Sequence, residues 1–190
     1  VLCNCESCGL IFQKNIPNDT VMERLYEHWI DPMIAFENRN SRFLTNPEIH
    51  TNYAKEIMTI GSCFNTSPSE TRFLDFGMGW GDWLLMANGL GYESFGLELS
   101  ESRITHAEGK GTKVITWEEA ENLRFDFINT EQVFEHIAKP LETLNELKTL
   151  LKPGGIIKIS VPTANDIERR LKLMDWGAEK GTKNSLNNVA

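Results

Sequence analysis

The run Phe73-Leu74-Asp75-Phe76-Gly77-Met78-Gly79-Trp80-Gly81 sets a carboxylate ahead of three alternating glycines. Glycines there permit positive φ and let a ligand approach the backbone. A helix opening at the end of such a turn presents free N–H groups to acceptor atoms. Dinucleotide binders use G-x-G-x-x-G, whose third glycine lets helix and strand pack closely. Counted from Gly77 and Gly79 that third position is Asp82, and counted from Gly79 and Gly81 it is Leu84, so the dinucleotide fingerprint fails. A carboxylate beside the turn works against a pyrophosphate and suits a cationic ligand, such as a sulfonium or an ammonium. A second acid, Glu98, ends the apolar run Phe95-Gly96-Leu97. An acid about 20 residues beyond the turn, at the tip of the next strand, can accept hydrogen bonds from ribose hydroxyls.

Further candidates follow along the chain. Asn129 ends the strand-like run Phe125 to Asn129 and Glu131 follows it, at the strand ends where open α/β sheets bind ligands. Glu135-His136 is a catalytic candidate, since His takes a proton near neutral pH; a His at a helix start also caps or packs. Trp117 could stack on a purine and Glu118 accept from its amino group, with a core or rim tryptophan as the other reading. Trp80, inside the glycine turn, would shield the pocket. Cys3, Cys5 and Cys8 crowd the beginning of the chain, with Cys5 and Cys8 at C-x-x-C spacing and no second such pair downstream. That pattern is half of a zinc signal, or else a set of free surface thiols.

The elements that must position these groups alternate. Arg72 to Phe76 reads as a strand and Trp83 to Asn88 as a helix ended by Gly89 and Gly91. Ser94 to Leu99 is a strand, and Ser100 to Glu108 a helix capped by Ser100. Lys113 to Trp117 and Phe125 to Asn129 are strands. Pro140 to Leu151 is an amphipathic helix with a stripe of Leu141, Leu144, Leu147, Leu150 and Leu151. Pro153-Gly154-Gly155 turns the chain into a last strand, Ile156 to Val161. Upstream, Asp19 or Thr20 caps a helix with Val21, Leu25, Trp29 and Ile30 on one face. Pro32 interrupts it, and helical character resumes from Met33 to Arg42. Asn46 and Pro47 then open another helix, with Ile49, Tyr53, Ile57 and Ile60 as its buried stripe. Such alternation predicts right-handed crossovers and a mostly parallel sheet between helices. The expected organisation is a Cys-rich segment over 1–18, a helical lead-in over 19–66, a ligand-binding Rossmann-like domain over 67–176 and a polar tail over 177–190.

Four segments, FLDFGMGWGDWL, FGLELS, FDFINTEQVFEHI and LLKPGGIIKISVP, resemble in order and spacing the motifs of class I S-adenosylmethionine-dependent methyltransferases. The match covers Thr71 to Pro162 and is closest to the small-molecule branch with E-H after the fourth strand. The resemblance implies a Rossmann-like three-layer α/β sandwich that binds S-adenosylmethionine and yields S-adenosylhomocysteine. It implies that Asp75, Gly77, Met78, Gly79, Trp80 and Gly81 hold the methionine part and approach the ribose. Glu98 and Leu99 would meet the ribose side, Trp117 and Glu118 the adenine, and Asn129 and Glu131 the methionine part or the acceptor, with His136 as the catalytic candidate. The rivals are a non-catalytic S-adenosylmethionine-binding module and a nucleotide-dependent oxidoreductase. The head C-E-S-C-G-L resembles the second half of an N-terminal zinc ribbon carried by some methyltransferases. On that resemblance Cys3, Cys5 and Cys8 are a remnant that binds no zinc alone.

Composition narrows the partners. The chain has 190 residues, 41% apolar and 24% charged, with a net charge of −8 and no long basic run. That balance argues against a nucleic-acid backbone and for a small-molecule acceptor. No apolar run approaches the roughly 18 residues of a membrane helix, and Val1 to Gly9 lacks the pattern of a signal peptide. A cytoplasmic protein is expected. Val1 at the start, and a polar tail where the family normally adds two more strands, suggest a piece of a longer chain. Oligomeric state is not legible.

Overall fold

Arg72–Phe76 forms the central strand β3, with the bounds that the sequence suggests. The structure, a computed structural model, describes residues 2–24 and 32–163. The other strands are β1 (Leu2–Asn4), β2 (Ile11–Gln13), β4 (Glu93–Leu97), β5 (Lys113–Val114), β6 (Phe125–Glu131) and β7 (Leu151–Ser160). The helices are α1 (Asp19–Arg24), α2 (Pro32–Thr45), α3 (Pro47–Gly61), α4 (Asp82–Gly89), α5 (Glu101–Gly109), α6 (Trp117–Glu121) and α7 (Pro140–Thr149). β1 and β2 make a small antiparallel hairpin. The main sheet has the order β5-β4-β3-β6-β7 and is parallel throughout. The chain therefore runs outward from β3 through β4 to β5, then returns to β3's other side as β6 and β7. Crevices at the carboxyl ends of strands beside such a reversal are where open α/β sheets take ligands.

Period-two alternation sorts the strand residues onto two faces. Leu74, Phe95, Leu97 and Ile128 pack with Ala120 of α6 and with Leu147 and Leu150. Phe73 and Phe127 face the other way and pack with Ile57 of α3 and with Trp83 and Ala87 of α4. Met78, Leu84 and Ala107 continue that second layer to α5. This is the expected three-layer sandwich. Ile57 is fully buried in it, so α3 shares the core of the sheet. Asp75 and Asn129 stand directly opposite each other in the β3–β6 register, on the face that α3 covers.

Some expectations need correction. Lys113 to Trp117 is not one strand: β5 stops at Val114 and Trp117 is the first residue of α6. Thr116 accepts from the Glu119 N–H and Glu119 accepts from the Thr116 N–H, a capping box that starts a helix despite the β-branched residues before it. Pro153 to Gly155 lies within β7 as an irregularity: Phe125 pairs Leu151, whereas Phe127 pairs Ile156. The extra residues form a bulge, with Gly154 at φ 81°. Leu141 is 70% exposed and leaves the stripe of α7. Asn18 caps α1, its Oδ1 accepting from the Val21 N–H, in place of Asp19 or Thr20. Leu25, Trp29 and Ile30, and the helix expected from Ala164, lie outside the described residues.

Asn46 and Pro47 open α3 as read, with Asn46 Oδ1 accepting from the Glu48 N–H. Asp126 braces the bottom of the sheet: its Oδ2 accepts from the Arg72 N–H and from Lys152 Nζ, each at 2.7 Å.

Candidate functional site

The glycine turn leaves β3 with left-handed φ at Gly77 (73°), Gly79 (57°) and Gly81 (80°). L-residues with a Cβ are strained there. The Gly77 and Met78 N–H groups both donate to Leu97 O, tying the turn to β4. A Cβ on Gly77 would lie 2.5 Å from Val133 Cγ2, and one on Gly81 3.1 Å from Ala107 Cβ. At Gly79 a Cβ would meet nothing within 4 Å. The first and third glycines thus serve packing as well as backbone, while the middle one faces open space. Gly96 makes room for Met78, whose buried side chain seats the turn on the sheet; a Cβ there would collide with Met78 Sδ.

A cavity of about 550 Å³ opens at this turn, at the carboxyl ends of β3 and β6. Of the residues singled out in the sequence, Asp75, Gly77, Met78, Gly79, Trp80, Asn129 and Glu131 line it. Asp75 is 3% exposed and accepts from Asn129 Nδ2 at 2.8 Å. Burial pushes its carboxyl pKa up to about 7, against the pull of the Asn129 hydrogen bond and the Lys158 charge. Asn129 is 1% exposed, and its Oδ1 has no hydrogen-bond partner. An unpaired buried acceptor is costly, so a donor is wanted at this spot.

Glu98 is treated differently. Its Oε2 accepts from the Gly79 N–H at 2.9 Å, and its Oε1 accepts from the Leu99 and Ser100 N–H groups. Arg103 Nη1 lies 3.6 Å from the same carboxylate, with the guanidinium 5.9 Å from the Trp80 ring centre. Leu99, next in the chain, is fully exposed. Gly81 is the left-handed N-cap of α4, and Gly81, Glu98 and Leu99 do not themselves line the cavity.

The far wall was not foreseen. Arg39 of α2, Asn52, Tyr53 and Glu56 of α3, and Trp83 of α4 complete the lining, with Arg103. Tyr53 figured in the sequence only as a core position. Asn52, Tyr53 and Glu56 recur at helical spacing beside the apolar stripe, a signal that could have marked a polar face turned to the site. Glu56 Oε1 accepts from Trp83 Nε1 at 3.1 Å and from Lys158 Nζ at 2.7 Å. Lys158 also donates to Glu131 Oε2 at 2.8 Å. Burial opposes the Lys158 charge, but the hydrogen bonds to Glu131 and Glu56 prevail and raise its pKa.

The remaining candidates stand elsewhere. Trp117 packs edge-on against Phe76, donates to Glu121 Oε1, and does not border the cavity; nor does the exposed Glu118. His136 ends a 3-10 turn, 47% exposed, with Nε2 3.8 Å from Glu135 Oε1. Cys3, Cys5 and Cys8 are free thiols in the β1–β2 hairpin. Backbone N–H groups of Cys8 and Ser7 lower the Cys5 thiol pKa. No group of three or more metal-ligating side chains is assembled among the described residues.

Comparison with known proteins identifies the family. The methyltransferase domain family model matches residues 22–188. The chain belongs to the methyltransferase domain family, in its class I Rossmann-like form. It is 31% identical over 156 residues to the ubiquinone biosynthesis O-methyltransferase of Dinoroseobacter shibae, covering 75% of this chain and 62% of that protein. It is 36% identical over 117 residues to the Caulobacter vibrioides protein of the same name, covering 56% and 46%. The chain thus spans less than two thirds of the length of these relatives. The fold resembles the plantazolicin methyltransferase BpumL in complex with SAH, with TM-score 0.59 and 19% identity over 85% of this chain and 63% of that one. It also resembles a SAM-dependent methyltransferase from Archaeoglobus fulgidus, with TM-score 0.52 and 22% identity over 70% and 62%.

Proposed function

We propose that this chain binds S-adenosylmethionine in the cavity at the glycine turn and transfers its methyl group to a small-molecule acceptor. The observation that carries this reading is the buried Asp75–Asn129 pair, where a carboxylate and an unpaired amide oxygen face one cavity. A primary ammonium, with three N–H donors and one positive charge, satisfies both. The donor's methionine end supplies such a group, and the open side of Gly79 leaves room for its chain.

The chain's residues then divide the work. Asp75 and Asn129 hold the ammonium. Glu98 exchanges its backbone donors for ribose hydroxyls, and Leu99 offers the adenine an apolar face. Trp117 and Glu118 are assigned to the outer rim of the adenine site. When bound, the donor supplies an electrophilic methyl on a sulfonium, so the protein's task is alignment and exclusion of water. The kinship with O-methyltransferases favours a hydroxyl acceptor, which gives up a proton as the methyl arrives. Glu56 and Glu131 border the cavity and can take that proton; His136 would have to reach it from outside. A cytoplasmic setting, with thiols left free, fits a soluble donor and acceptor.

Calorimetry with S-adenosylmethionine, S-adenosylhomocysteine and NAD tests the reading. It expects heat with the first two and none with the third. Transfer of labelled methyl to a panel of hydroxylated acceptors then separates an enzyme from a binding module. Binding of NAD alone would overturn the proposal.

A further inference from the structure

Lys158 has no role so far, and it does not line the cavity. It stands on β7, paired in register with Asn129 of β6. Its Nζ donates to Glu56 Oε1 of α3 at 2.7 Å and to Glu131 Oε2, at the end of β6, at 2.8 Å. Glu131 is held at both oxygens, because Ser160 Oγ donates to its Oε1 at 3.1 Å. Glu56 is held through Oε1, which also accepts from Trp83 Nε1 at 3.1 Å. Both carboxylates do line the cavity. The bonds to them keep Lys158 protonated. Two carboxylates around one ammonium leave the cluster with one net negative charge, and a single added proton neutralises it.

Position along β6 says where that proton would come from. Asn129 and Glu131 belong to one strand and lie two residues apart, so they share a face and stand about 7 Å apart along it. Asn129, 1% exposed with an unpaired Oδ1, marks the ammonium end of the ligand on the reading above. The chain from that ammonium nitrogen to the donor's methyl carbon spans about 6 Å when extended. A donor chain running toward the carboxyl end of the sheet therefore brings its methyl level with Glu131. Asp75 stands across the β3–β6 register from Asn129, level with the ammonium.

Resting on the methyl-transfer reading above, we propose that Lys158 is the positioning residue for proton removal from the acceptor: with Ser160 it holds Glu131 level with the donor's methyl, and Glu131 takes the acceptor's hydroxyl proton. The acceptor oxygen gives its proton to the Glu131 carboxylate and an electron pair to the methyl carbon. The carbon–sulfur bond breaks, and its electrons return to sulfur, which leaves as the thioether of S-adenosylhomocysteine. Glu56, fixed by Trp83, anchors Lys158 from the other side.

The competing role is a tie that holds α3 to β6 and β7. Two kinds of acceptor separate the roles. A simple phenol must lose its proton to react; a nitrophenol is already ionised at pH 8. Transfer of labelled methyl to matched pairs of such phenols is measured with the full chain, unmodified and with Glu131→Gln, Lys158→Met or Lys158→Arg, with thermal melts confirming the fold. Donor-site affinity is followed by calorimetry with S-adenosylhomocysteine and with 5′-methylthioadenosine, which keeps the nucleoside and thioether but lacks the amino-acid tail. Glu131→Gln is expected to lower kcat for the simple phenols about 100-fold and for the nitrophenols by less than about threefold. Lys158→Met should lower the first about 20-fold and spare the second, and Lys158→Arg should restore most of the loss. Both donor-site ligands should bind within about threefold of their affinity for the unmodified chain. Equal losses with both kinds of phenol, or no loss with either, would overturn the proposal in favour of a tie. Weaker S-adenosylhomocysteine with methylthioadenosine spared would put Glu131 at the ammonium instead, and overturn it too. Should Lys158→Met not fold, Lys158→Gln replaces it. An unmodified chain that binds S-adenosylhomocysteine and methylates neither kind of phenol would defeat the hydroxyl-acceptor reading, and this proposal with it.

Discussion

Two acids stand at neighbouring strand ends and are prepared for opposite tasks. Glu98 takes three backbone N–H groups, from Gly79, Leu99 and Ser100, and has Arg103 nearby. Asp75 takes one side-chain donor, is buried, and has its pKa driven up to about 7. The first carboxylate is a settled acceptor that shapes the turn and can trade donors for hydroxyls. The second is buried with a single side-chain donor, and on the proposed reading a cationic ligand answers it. On the proposed reading, similar side chains at similar places meet different chemistry, because one strand end is wrapped in N–H groups and the other is buried with a single side-chain donor.

The contrast breaks most sharply at Asp75. Asp75→Asn should weaken S-adenosylhomocysteine about 100-fold, the cost of one charged hydrogen bond, while barely touching 5′-methylthioadenosine. Calorimetry with the two ligands measures it. The same variant should be more stable at high pH. The unfolded carboxyl ionises near its ordinary value of 3.8 and the folded one near 7. Between those values the folded state keeps a proton that the unfolded state has lost, so stability falls as pH rises from about 4 to about 7. Removing the carboxylate removes that fall, and the Tm at pH 8 should rise by about 4 °C.

Glu98→Ala comes next. It should weaken both ligands alike, by about 20-fold, since both carry the ribose. Equal loss there and unequal loss at Asp75 would place the two acids at the two ends of one ligand. A smaller effect is expected from pH. Affinity of the unmodified chain for the tailed ligand should rise about tenfold from pH 6 to pH 8 as Asp75 becomes ionisable, and the rise should vanish in Asp75→Asn. The smallest change is expected at His136: His136→Ala should leave donor affinity within about twofold, because its side chain stands outside the cavity.

Much of one wall was legible in the sequence. The strand and the alternating glycines read directly, because both are local demands of backbone geometry, and the acid before them reads from its charge beside the turn. Pro47 behind Asn46 marked α3 for the same reason. Trp117 was misplaced because β-branched Val114, Ile115 and Thr116 favour a strand, while the Thr116–Glu119 box that stops it is a side-chain contact across three residues. The Asp75–Asn129 partnership needs the β3–β6 register, which follows from strand order and not from spacing. Arg39 leaves no periodic mark; it reaches the site only because α2 packs where Asp82 and Tyr53 can hold it.

The proton balance of binding tests the central claim most directly. S-adenosylhomocysteine is titrated at pH 7 in buffers of different ionisation enthalpy, into the unmodified chain and into Asp75→Asn. If Asp75 surrenders its proton to meet the ligand's ammonium, the unmodified chain releases about half a proton per ligand bound and the variant releases none. Binding with no proton released, or with the same release from both chains, would contradict it.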